Sequence, residues 1–120
     1  MSSNSVRDKI RAATVGSKKQ YRKELVELEG AQVEVRQLSL LERRDYMSAS
    51  LDKESNSVDL LKLQVNAIIS SCYVPGTDEK VFEDTDEKAI GNSITGGYAD
   101  TLWEAVQRLS NFSVDDAKKN

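Results

Sequence analysis

No histidine occurs anywhere in the sequence, and there is only one cysteine, Cys72. Most zinc sites are built from imidazole and thiolate ligands, so this composition leaves little to bind zinc. It also leaves Cys72 without a base partner for nucleophilic work and without a second thiol for an internal disulfide. Cys72 sits in an apolar helical pattern and reads as a buried, inert thiol. Proline occurs once, at Pro75, and aromatic residues make up only 6% of the chain. No apolar run approaches the roughly 18–20 residues needed to span a bilayer. The opening stretch MSSNSVRDKIRAATVGSKK holds no apolar segment long enough for a signal peptide. A cytoplasmic protein with no membrane partner is expected.

Ligand-binding loops are missing too. Gly91, Gly96 and Gly97 fit neither a P-loop nor a dinucleotide fingerprint, and no Gly-Lys-Ser/Thr occurs. The acidic stretch GTDEKVFEDTDEK, Gly76 to Lys88, carries six carboxylates. A calcium-binding EF-hand loop needs oxygen ligands at its first, third and fifth places, glycine at the sixth and glutamate at the twelfth. Counting from Asp78 puts Lys80 and Phe82 at the third and fifth places. Counting from Asp84 puts Lys88 fifth, Ala89 where glycine belongs and Thr95 last. Both registers fail, so the acids read as a solvated turn. No cofactor or metal is expected, and no nucleophile–base set can be assembled, so the chain is not expected to be an enzyme.

What is present suits one modest domain: 120 residues, 38% apolar, 31% charged and a net charge of −3. The charge is uneven. Residues 1–23 hold Arg7, Lys9, Arg11, Lys18, Lys19, Arg22 and Lys23 against Asp8 alone. Such an arm can touch nucleic acid through phosphates. No aromatic platform or nucleic-acid motif accompanies it, so a solvated tail is the plainer reading and nucleic acid is not expected as a partner.

Along the chain, VRDKIRAAT makes two helical turns with Val6, Ile10 and Ala13 on one face, ended by Gly16. KELVELEGAQVEVRQL alternates apolar and polar residues and reads as a hairpin over 24–37. A type II′ turn at Gly30–Ala31 pairs Leu28 with Val33, Val26 with Val35 and Glu27 with Glu34. Ser39 and Glu42 form a capping box for a helix whose inner side carries Leu40, Met47 and Leu51, with Arg44 and Leu41 beside them. DKESNS is a polar break. The most apolar helix follows, with Ser57 as its cap and Val58, Leu61, Val65, Ile68 and Cys72 as its core stripe. Leu60, Leu63, Ala67 and Ile69 widen that stripe. Pro75–Gly76 stops it, and CYV and KVF can pair as a minimal ribbon, with Val81 and Phe82 as a buried anchor. Thr85 caps a helix over DEKAIGNSI. A last helix turns Leu102, Val106 and Leu109 inward, with Trp103 beside them.

The expected fold is mainly α: three to four packed helices with one N-terminal β-hairpin in a single domain. A basic arm over 1–22 precedes a helical domain over 23–113, and a polar tail covers 114–120.

The order of elements carries a resemblance. VEVRQLSLLERRDYM (33–47) has a V-x-V-R-x-L strand, then Ser, then a helix opening with Glu-Arg. Residues 67–113 add an apolar helix, a short acidic turn, a Val-Phe pair, a capped helix with glycine near its middle and a closing helix with R-L-x-x-x-S. Over roughly 24–113 this resembles the tail assembly chaperones of long-tailed, siphovirus-type bacteriophages. No single motif is diagnostic. The resemblance implies a protein of the infected host's cytoplasm that binds the tape-measure protein and is absent from the finished virion. It also implies self-association, and a longer frameshifted form through which the major tail protein becomes a second partner. The closing Lys118–Lys119 pair is compatible with an A-rich slippery codon run. Two other readings are a small nucleic-acid-binding regulator using the basic arm and a structural head–tail adaptor.

The candidate partner-binding residues are Leu60, Leu63 and Ile69, which lie off the main core stripe, and then Tyr98 and Trp103, amphipathic aromatics of the kind interfaces favour. The competing assignment is that all five are ordinary core.

Overall fold

The structure, a computed structural model, describes residues 3–16 and 21–110. The expected polar tail and the Lys118–Lys119 pair lie outside the described residues. Helix α1 (Ser3–Ala13) comes first, closed by the Gly16 amide donating to the Arg11 carbonyl at 2.7 Å. The alternating segments then form β1 (Lys23–Leu28) and β2 (Ala31–Arg36), antiparallel as expected.

The register differs from the expected one. Val26 faces Val33, Leu28 faces Ala31 and Leu25 faces Glu34, so the loop is Glu29–Gly30. Both loop residues have positive φ, 47° and 86°, which is a type I′ turn matched to the right-handed twist of the strands. Moving the loop by one residue shifts the pairing by two, so the inward face keeps Val26, Val33 and Val35. The expected Glu27–Glu34 opposition disappears, and Glu27 faces Gln32. Glu29 holds a left-handed conformation that asparagine accepts more readily. Glu29→Asn is therefore expected to stabilise the fold by about 0.5–1 kcal/mol in urea unfolding.

α2 (Leu40–Ala49) starts on the expected box, with Ser39 Oγ accepting from the Glu42 amide at 3.1 Å and Glu42 Oε1 accepting from the Ser39 amide at 3.0 Å. DKESNS is the turn of a second, minimal hairpin, β3 (Leu51–Asp52) with β4 (Ser57–Val58). That pairing draws Ser57 and Val58 out of the next helix. Asp59 therefore caps α3 (Leu60–Ser71), its Oδ1 accepting from the amides of Leu61 and Lys62 at 3.0 and 3.1 Å. Cys72–Tyr73 forms β5, which adds to the free edge of β2, giving the order β1-β2-β5. The expected ribbon is also present: Tyr73 bridges Lys80, and the Val81 amide donates to the Cys72 carbonyl at 3.1 Å.

Thr85 is not the cap of the following segment. The Glu83 amide donates instead to Asp86 Oδ2 at 2.8 Å, closing a 3₁₀ turn (Asp84–Asp86) that leads into α4 (Glu87–Gly91). α5 (Tyr98–Ser110) ends the described body and buries Leu102, Trp103, Ala105, Val106 and Leu109. α3 and α5 pack together and α5 lies on the hairpin, so one core joins the valines of the sheet to Leu63, Ile68 and Leu102.

The described residues form five helices with a three-stranded antiparallel sheet and a two-stranded hairpin, more mixed than the single N-terminal hairpin expected. Two-residue strands carry no readable periodicity. They arise because backbone groups leaving a helix must find partners, and β2's open edge supplies them. No described helix is long and apolar enough to cross a membrane.

Candidate partner-binding surface

Three of the five expected contact residues are inside the fold. Leu63 is 0% exposed, and Ile69 and Trp103 are buried with it in the core. Leu60 is half-buried and packs against the same cluster. Tyr98 reaches the surface, where its ring lies 6.5 Å from Phe82 at an interplanar angle of 21° and its hydroxyl accepts from Ser93 Oγ at 2.8 Å. Of the stripe assigned to the core, Val65, Ile68 and Cys72 are buried and Val58 packs against them, but Leu61, expected inside, is 56% exposed, while Leu63 is fully enclosed. Apolar residues surround α3 on most sides, so its periodicity allows either rotation. Packing between α2 and α5 selects this one.

α2 shows the same effect. Its inward face is Arg43, Tyr46, Met47 and Ser50, spaced as one helical face. Tyr46 is buried, and burial pushes its phenol above the ordinary value, partly offset by Arg43. Ser50 Oγ donates to the Tyr46 carbonyl at 2.6 Å and accepts from Asn66 Nδ2 at 3.3 Å. Arg43 reaches the Ser110 carbonyl at 3.0 Å, and Arg22 and Gln37 both donate to the Leu109 carbonyl, so basic and amide groups cap the end of α5. Arg22, counted with the basic arm from sequence, is thus tied to the body.

With α2 held that way, Leu40 and Leu51, expected inside, face out, while Met47 stays half-buried against the core. Leu40 is 80% exposed, and with Met47, Leu51 and Val58 it floors an open groove of about 410 Å³ edged by Arg43 and Arg44. A second, larger groove of about 720 Å³ opens at the hairpin tip. Leu28, Val81, Phe82 and Tyr98 line it, and Ile94, at 83% exposure, stands at its edge. Val81 and Phe82 are therefore an exposed and a half-buried residue respectively, not a buried anchor. The exposed leucines and Ile94 were missed because a stripe of the right period says nothing about which neighbour will cover it.

The acidic turn has a structural partner. Glu34 lies buried on the outer face of the sheet, bonded to Arg36 Nε at 2.6 Å, with Lys23 Nζ at 3.6 Å and the Gly76 amide donating at 3.2 Å. Arg36 also bonds Asp78 at 3.1 Å and the Thr77 carbonyl, and its guanidinium lies 3.8 Å from the Tyr73 ring centroid. The Arg36 hydrogen bond holds the Glu34 carboxyl below its ordinary value against the opposing effect of burial. For Arg36, burial works downward, and Glu34 and Asp78 outweigh it to leave the guanidinium raised. The V-x-V-R strand and the acidic turn are thereby locked together. Cys72 is fully enclosed, and burial pushes its thiol up to about 12, so it is inert at neutral pH. Among the described residues no group of three or more His, Cys, Asp or Glu side chains gathers to hold a metal ion.

These features define an α+β domain, helices packed on one face of a short antiparallel sheet, with two open apolar grooves. The solved structure of the bacteriophage HK97 tail assembly chaperone has this fold: the TM-score is 0.51 at 17% sequence identity, over 86% of this chain and 97% of that one. No family model matches the sequence, and no match was found among curated proteins.

Proposed function

We propose that this protein is a tail assembly chaperone of a long-tailed bacteriophage, working in the cytoplasm of the infected bacterium. It binds the tape-measure protein, keeps it soluble while the tail is built, and is absent from the finished particle. The observation that carries this reading is the fold shared with the HK97 tail assembly chaperone along nearly the whole of both chains. The surface is compatible with it. Long apolar helical faces aggregate unless covered, and an apolar groove accepts such a helix by its i, i+3, i+4 residues. The groove on α2 offers Leu40, Met47 and Leu51 between Arg43 and Arg44, which suits an apolar helix with acidic flanks. The role needs no catalysis. A longer frameshifted form that also contacts the major tail protein belongs to the same proposal.

Co-expression with the tape-measure protein of the same phage tests it. The soluble fraction of that protein is expected to rise several-fold. The double change Leu40→Glu and Leu51→Glu is expected to abolish the rise with the chain still folded, because both positions are exposed. An unchanged soluble fraction with the natural chain would sink the reading, as would finding the chain in purified particles by mass spectrometry.

A further inference from the structure

The basic arm contains a helix to which the proposed function gives no role. In α1, Val6, Ile10 and Ala13 recur at the helical repeat and share one side. Val6 and Ile10 are 62% and 59% exposed. By the same repeat Lys9 and Arg7 stand on the two flanks of that side, Arg11 lies beyond Arg7, and the single acid, Asp8, falls opposite. Bases that border an apolar face lay their methylene stems along it and keep their charges at its rim. The charge of the whole chain is divided to match. Residues 1–23 hold seven of the 17 bases and one of the 20 acids, so the remainder carries 10 bases against 19 acids.

Two kinds of anionic surface attract such an arm, and they treat the apolar face differently. Nucleic-acid phosphates pair with Arg and Lys but leave Val6 and Ile10 in water. The interface of an anionic bilayer takes both, with the aliphatic side chains below the headgroups, the bases among the phosphates and Asp8 toward water. We propose that α1 is a surface anchor that lies on its Val6–Ile10 face in the plane of an anionic lipid bilayer. The acidic remainder of the chain is repelled by the same surface, so contact is confined to the arm. The expectation of no membrane partner rested on the lack of a spanning run, and no described helix is long and apolar enough to cross a bilayer. A helix lying in the interface needs no such run. Two aliphatic side chains hold only weakly, and the bases supply the second signal, so the attachment is reversible. The inference stands apart from the chaperone reading, since it concerns the arm and not the grooves.

Flotation of the full chain with lipid vesicles provides the test. At low salt the chain is expected to float with vesicles of phosphatidylcholine and phosphatidylglycerol in equal parts. Binding to pure phosphatidylcholine should be weaker by about tenfold or more. Salt at roughly 1 M should release most of the bound chain. Ile10→Gln alters an exposed position, keeps the net charge and suits a helix, so the variant folds, checked by circular dichroism and melting temperature. It is expected to weaken vesicle binding about tenfold or more, the effect of losing one buried aliphatic side chain. The neutral pair Leu40→Gln and Leu51→Gln, in the groove on α2, is expected to leave vesicle binding unchanged. A natural chain that does not float overturns the proposal. So does Ile10→Gln floating as well as the natural chain, or flotation lost through the α2 pair instead. Retention on a mixed-sequence DNA duplex that outcompetes the vesicles and ignores Ile10→Gln would assign the arm to nucleic acid and overturn it too.

Discussion

Leu63→Ala is expected to lower the free energy of unfolding by about 3–4 kcal/mol, measured by urea denaturation. Leu63 is fully enclosed in the core, on a helix packed against α2, α4 and α5, so its loss leaves a cavity that rigid neighbours cannot close. The control is two residues away. Leu61→Ala, at a position 56% exposed, is expected to change stability by about 0.5 kcal/mol or less. The pair reads the rotation of α3 directly, because the core stripe expected from the sequence places Leu61 inside and leaves Leu63 at the margin. Equal losses at the two positions, or a larger loss at Leu61, would show that α3 is turned the other way. Partner binding by the folded fraction of Leu63→Ala should be unaltered, since the side chain has no surface to offer.

Arg36→Ala is expected to cost about 2–3 kcal/mol. It leaves the Glu34 carboxylate buried with only Lys23 and the Gly76 amide to answer it, and it frees the turn at Thr77–Asp78. Breaking a buried pair costs roughly 3–5 kcal/mol, and the access of water at exposed Lys23 and Asp78 lowers the figure here. The companion change Glu34→Gln in the Arg36→Ala background should recover part of the loss, because the uncompensated charge is then gone. The pH dependence has a definite sign. The folded carboxyl of Glu34 lies below its ordinary value of 4.5, so its contribution is fully present above that value and is lost as pH falls through the lower folded value. Acid unfolding monitored between neutral pH and the bottom of the carboxylate range should therefore show an early loss in the natural chain that Glu34→Gln lacks. Identical acid profiles would mean that Glu34 is not held by Arg36 in solution.

Much of the local structure was readable from residue patterns. The alternation in KELVEL and AQVEVR determines a hairpin with the valines on one face, and Ser39 with Glu42 determines where α2 begins. The helix pattern in YADTLWEAVQRLS determines which side of α5 is buried, because its apolar residues form one stripe with a charged opposite face. The fold shared with the HK97 tail assembly chaperone agrees with the sequence resemblance at the level of fold. The misplacements have particular causes. Ser57 and Asp59 are both good N-caps, and the choice fell to Asp59 only because Ser57 pairs with Asp52 in the small hairpin. Gly30–Ala31 and Glu29–Gly30 both close a two-residue loop, and strand twist favours the second.

The candidate surface was the least legible part. Leu40 and Leu51 were visible as an inner stripe and lie at the surface, whereas Leu63 and Ile69, offered as contact residues against an ordinary-core assignment, are core. Periodicity reports that a helix has an apolar face, and burial depends on what lies against that face. By itself, the sequence determined the longer helices and the first hairpin, their order, the valine face of that hairpin and the inert thiol at Cys72, because these depend on short-range spacing and local hydrogen bonds. Only the tertiary structure decided the exposure of Leu40, Leu51 and Leu61, the enclosure of Leu63, the addition of β5 to the sheet and the clamping of the acidic turn by Arg36. Those rest on contacts between segments dozens of residues apart, and a helix that is apolar on most sides has no internal reason to prefer one rotation over another.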